Sequence, residues 1–115
     1  PVATPAPAPT PAPAPPPPPA PAGPSSIQQI ITQAFQSQGP AAVDWGLAVA
    51  SCESSYDPNA ENPSGASGLF QFMPSTFAGT PQGEAGDSIW DPVASASAAA
   101  WMYSQGRQNE WECNP

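Results

Sequence analysis

The chain has 115 residues, of which nine are acidic, one is basic and none is His, for a net charge of −8. That balance removes the attraction on which phosphate-backbone and anionic-membrane binding rest, and the longest weakly polar run, 93–103, is interrupted by Ser95 and Ser97, so neither nucleic-acid binding nor membrane insertion is expected. Without His there is no Ser-His or Cys-His nucleophile and no His-ligated metal, and two Cys cannot form a zinc set. What survives is carboxylate chemistry without metal or cofactor.

Residues 1–24 hold 13 of the 20 prolines, alternate Pro with Ala and include an unbroken proline run at 15–19. A segment of this kind cannot donate a hydrogen-bond ladder or bury a core. It is expected to be a disordered linker sampling polyproline II, reaching roughly 75 Å at about 3.1 Å per residue. It reads as a spacer through a crowded matrix, with an unpartnered low-complexity tail as the alternative. The remaining residues set one small globular domain as the ceiling. Ser25-Ser26 offers an N-cap before Ile27, Ile30, Ile31, Ala34 and Phe35, which recur at helical spacing. Residues 25–39 are therefore an amphipathic helix leading into the domain proper at 40–115, ended by Gly39-Pro40.

A second helix is predicted over residues 41–54, with Trp45, Val49 and Cys52 on one stripe; Tyr56-Asp57-Pro58 stops it, because the residue before Pro is pushed out of the helical region. Residues 62–68, with Pro63, Gly65 and Gly68, read as turns. The apolar stretch 69–73 is either extended or a helical turn. Pro74-Ser75-Thr76-Phe77 opens a short helix and 79–87 reads as loop. Asp91-Pro92 starts the last long helix, to about residue 105, with Gly106 past its end and enough Ala for close packing. The fold class is mainly α with minimal β. Trp45, Trp101 and Met102 are assigned to the core, and Tyr56, Phe77 and Trp90, in or near loops, to a groove.

Cys52 and Cys113 lie 61 positions apart, near the two ends of this small, charge-poor domain. A disulfide formed in an oxidising compartment explains them better than two buried free thiols, the alternative. In the chain-entropy model, closing such a loop is worth roughly 4 kcal/mol.

Glu53 follows Cys52 at the end of the second helix. Cleaving a glycosidic bond requires a carboxyl still protonated near the working pH. A helix C-terminus disfavours negative charge, the expected surroundings (Trp45, Val49, Phe70, Phe72) are apolar, and the one cation, Arg107, is far along the chain. All three push the Glu53 carboxyl upward. An ordinary exposed glutamate at a helix end is the competing reading.

Glu53-Ser54, then Gly65-Ala66-Ser67-Gly68-Leu69-Phe70-Gln71-Phe72-Met73-Pro74, then Asp91-Pro92 before an Ala-rich helix, together resemble the soluble lytic transglycosylases of the goose-type lysozyme-like superfamily. The resemblance covers about residues 40–115. The closing Trp111-Glu112-Cys113, paired with the Cys beside the Glu, is similar to the disulfide-bonded versions secreted by actinobacteria and related to the resuscitation-promoting factors. It implies a lysozyme-like fold with Glu53 as catalytic acid/base and Ser54 as the hydroxyl beside it. Gly68-Leu69-Phe70-Gln71 matches the family's Gly-Leu-Met-Gln, whose amide contacts the bound sugar. Ser95 stands where the family commonly has Asn, and the family's Tyr on the last helix falls on Tyr103 or is replaced by Met102. With Tyr56, these are the candidate substrate-binding residues.

The resemblance further implies cleavage of the β-1,4 bond between N-acetylmuramic acid and N-acetylglucosamine. Glu53 would protonate the leaving oxygen, and then as carboxylate take the proton of the C6 hydroxyl, giving a 1,6-anhydro end. Hydrolysis would use a second carboxylate, Asp57 or Asp91, although both read more simply as turn and cap residues. A non-catalytic peptidoglycan-binding module is the remaining alternative. The expected partner is the peptidoglycan glycan strand, with cell-wall remodelling proteins as further candidates. The protein is expected to be a monomer, secreted or associated with the cell wall.

Overall fold

The computed structural model describes residues 24–113, so the Pro/Ala-rich segment read as a linker lies outside the described residues except for its last residue, Pro24. Among the described residues five α-helices follow in order: α1 (Pro24–Phe35), α2 (Pro40–Ser54), α3 (Pro74–Ala78), α4 (Pro81–Glu84) and α5 (Pro92–Ser104), with 3-10 turns at Gln36–Gln38 and Gln108–Glu110. Every α-helix opens on a proline, whose fixed φ suits the first turn and whose missing N–H would have no partner there. The helix read from Ser25-Ser26 thus starts one residue earlier, at Pro24. Asp91 caps α5 by accepting the Val93 N–H at 2.9 Å. α4 falls in the stretch read as loop; the buried Thr80 caps it by accepting the Gly83 N–H, and Pro81 is its first residue.

Ile27, Ile31 and Phe35 form the buried stripe of α1, which packs on both α5 and α2. Phe35 sits at the centre, its ring about 6 Å from those of Trp45, Phe70 and Tyr103. It lies so close to α2 that a Cβ at Gly46 would overlap its ring. From α5 the core receives Ala94, Ala96, Ala98, Ala99, Ala100 and Met102, and the small side chains let the helices approach closely. Trp45 belongs to this core, as its place on the stripe predicts.

Among the described residues, β structure is limited to two isolated bridges, Glu61 with Ser67 and Ser67 with Phe72. The second settles the open reading of residues 69–73. Ser67 and Phe72 exchange both backbone hydrogen bonds, at 2.9 and 3.0 Å, so the stretch between them is a tight reversal. Cys52 and Cys113 are joined by a disulfide, with Cα atoms 5.9 Å apart.

Candidate active site

Glu53 occupies the last turn of α2. Ser55 and Tyr56 follow in left-handed conformations, φ 54° and 63°, and the Ser55 N–H bonds back to the Ser51 carbonyl, so the helix stops and Glu53 is left at its edge. The carboxyl is half-buried and lines a cleft of about 240 Å³. Gln71, Phe72, Met73, Met102 and the Glu110-Trp111-Glu112 segment line the same cleft.

Three causes act on the Glu53 carboxyl. Burial, the largest, raises it above the ordinary glutamate value; the Cys113 backbone N–H, 3.3 Å from Oε2, lowers it; the neighbouring Glu112 charge raises it again. The net direction is upward, as the sequence suggests, but the surroundings differ. Trp45, Val49 and Phe70 lie in the core beneath, and the apolar groups at the cleft are Phe72, Met73, Met102 and Trp111. Arg107 pairs with Glu110.

The reversal at residues 67–72 is pinned from three directions. Ser54 Oγ on α2 donates to the Leu69 carbonyl at 2.6 Å, the Phe70 N–H donates to Ser95 Oγ on α5 at 3.3 Å, and Trp111 Nε1 donates to the Phe70 carbonyl at 2.8 Å. Leu69, Phe70 and Ser95 are fully buried and Ser54 nearly so. None of these four lines the cleft; they hold the reversal through buried hydrogen bonds and packing. Gly68 is likewise structural. It has φ 85°, its N–H bonds to the Ala60 carbonyl at 2.8 Å, and a Cβ there would collide with the Ile89 carbonyl oxygen. Gly68→Ala is accordingly expected to cost about 2 to 4 kcal/mol from strain and overlap combined. The midpoint of urea unfolding measures it; an unchanged midpoint would show that the backbone relaxes freely.

Gln71 is the expected residue that does join Glu53 in the cleft. It too has positive φ, 53°, and its Nε2 donates to the Ala60 and Gly68 carbonyls, both at 2.9 Å. Since both acceptors are carbonyls, the amide orientation is fixed, and Oε1 is the polar atom left to accept from a ligand. Tyr103 packs against Trp45 and Phe35, with centroids at 5.1 and 6.1 Å, and Met102 faces the cleft instead. Tyr56 and Trp90 are half-buried outside the cleft lining, and Phe77 is buried against Phe72. Asp57 and Asp91 are exposed, each accepting a backbone N–H two residues on, and neither lines the cleft.

Sequence reasoning missed Trp111 and Glu112 as cleft residues. The signal was present in the Cys52–Cys113 pairing, because a bond to the residue beside Glu53 brings the residues before Cys113 to the same place. The arrangement is a half-buried carboxyl at a helix end that shares a solvent-open cleft with an amide side chain, which suits proton transfer to an extended ligand. A family model described as the Transglycosylase SLT domain matches residues 29–113. No curated protein and no solved structure matches the chain.

Proposed function

Because the chain belongs to the Transglycosylase SLT domain family, enzymes that cleave peptidoglycan, we propose that Glu53 is the single acid/base of a cleavage that gives 1,6-anhydro-muramic ends as its main products. The observation that carries this reading is the upward displacement of the Glu53 carboxyl by burial at the cleft it lines. A carboxyl displaced this way keeps its proton to higher pH and has it available for the leaving oxygen. The acetamido group of the muramic sugar assists departure, and the resulting Glu53 carboxylate then accepts the C6 hydroxyl proton as that oxygen closes on C1. The Cys113 N–H steadies the carboxylate during the interval in which it is charged.

In this reading Gln71 Oε1 accepts from an N–H or hydroxyl of the bound sugar, while Ser54, Gly68, Leu69, Phe70 and Ser95 act as positioning residues that hold Gln71 in the cleft it shares with Glu53. Asp57 and Asp91 are committed to turn and cap, which leaves them poor partners for a hydrolytic mechanism. A cell-wall substrate and a disulfide agree with a site of action outside the cytoplasm. Secretion, residues 1–24 as a spacer and 40–115 as the catalytic unit belong to the same proposal. Mass analysis of digested peptidoglycan tests it: the main product series is expected one water lighter than hydrolytic fragments, and a digest containing only hydrolytic ends would overturn the anhydro route.

A further inference from the structure

The cleft holds carboxylates besides Glu53, and they are not equivalent. Glu110 is engaged by Arg107 through both of its oxygens. Glu112 is exposed, and its side chain makes no hydrogen bond or ion pair among the described residues, yet it lines the same cleft as Glu53. Its position follows from the bond between the Cys113 N–H and Glu53 Oε2 at 3.3 Å. The Cys113 nitrogen is covalently attached to the Glu112 carbonyl carbon, so standard bond lengths keep the Glu112 Cα within about 6 Å of that oxygen. A glutamate side chain reaches up to about 5 Å further to its oxygens, so the two carboxyl groups lie no farther apart than about 11 Å, a limit that includes the working range of catalytic pairs. Paired carboxylates of glycosidases work at about 5 to 9.5 Å. The mutual charge effect of Glu112 on Glu53 agrees with that proximity.

We propose that Glu112 is a second catalytic carboxylate of this cleft, activating water at the anomeric carbon so that a fraction of turnovers ends in hydrolysis instead of anhydro ring closure. The inference rests on Glu53 being the acid. Glu53 gives its proton to the glycosidic oxygen as the C1–O bond breaks. Glu112 takes a proton from water, whose oxygen bonds to C1, and the product is a muramic acid end with a free anomeric hydroxyl. Glu53 is left ionised and Glu112 protonated, and exchange with solvent restores both. The C6 hydroxyl and water therefore compete for one carbon, with Glu53 serving the first route and Glu112 the second.

Digestion of peptidoglycan in water enriched in oxygen-18, with products weighed, tests this on the full chain. The native protein is expected to yield anhydro ends together with a minority of labelled hydrolytic ends. Glu112→Gln is expected to lower hydrolytic output at least about 10²-fold, the lower end of a general base's contribution, while anhydro output falls by a much smaller factor through the lost charge effect on Glu53. A native digest without labelled ends, an unchanged hydrolytic share in the variant, or an equal fall in both products would overturn the inference. Glu53→Gln in the same assay separates the two readings. If it abolishes cleavage while Glu112→Gln changes nothing, only the role of Glu112 falls; if it still cleaves, the acid/base assignment falls first.

Discussion

Glu53→Gln is expected to leave a folded protein that releases no measurable peptidoglycan fragments. General acid–base catalysis by one side chain contributes roughly 10²–10⁴-fold, and here one residue serves both the protonation and the ring closure, so a loss of at least about 10³-fold is expected. The same substitution separates catalytic from structural failure through its effect on stability. Because burial raises the Glu53 carboxyl in the folded state, the native protein gives up this proton less readily than the unfolded chain. The stability associated with the group is fully present below the ordinary carboxylate range and is lost as pH rises through the raised value. Gln carries no such penalty. The variant's melting temperature is therefore expected to match the native one in acid and to equal or exceed it near neutral pH. Muropeptide release and thermal melts across pH check both limbs, and residual cleavage near the native level would remove Glu53 from the mechanism.

The frame of the molecule was legible because its signals are local. A proline at each helix start, Asp91 before Pro92 and Gly106 after the last helix act within a few residues, and the helices begin and end close to where those residues place them. α4 escaped because a single turn of helix carries no periodicity; only Thr80-Pro81 marked it. The site divides the same way. Glu53 and Gln71 were readable from motif residues, yet the neighbours of Gln71 were expected beside it in the groove. Positive φ at Gly68 and Gln71 makes the chain reverse sharply, which sends Leu69 and Phe70 into the core while Gln71 stays at the surface. Met102 and Tyr103 are adjacent on α5, and which of the two reaches the cleft is a question of helix rotation that Ala on nearly every face leaves undetermined. Trp111 and Glu112 reach the cleft through a contact some 60 residues long in sequence, of which the cysteine pair was the sole trace.

That long-range contact carries the second large effect. Reducing the Cys52–Cys113 bond, or replacing both residues by Ser, is expected to cost roughly 4 kcal/mol through loop entropy in the unfolded chain. For a domain of this size that is a large share of total stability and lowers the melting temperature by on the order of 20 °C. The reduced protein should still fold at low temperature, because Phe35, Trp45 and Phe70 do not depend on the bond and Trp111 keeps its hydrogen bond to the Phe70 carbonyl. The site changes at the residues past Trp111. Once Cys113 is released, Glu53 loses the N–H that lowers its carboxyl and also part of the burial that raises it, and burial is the larger of the two. The carboxyl moves back towards the ordinary range, so the protonated acid is exhausted at lower pH and the alkaline limb of the pH–rate profile shifts in the same direction. Cleavage rates across pH with and without reductant, below the lowered melting temperature, measure this shift. If the limb stays fixed while stability falls, the disulfide acts on the unfolded chain alone and the terminal segment holds Glu53 without it.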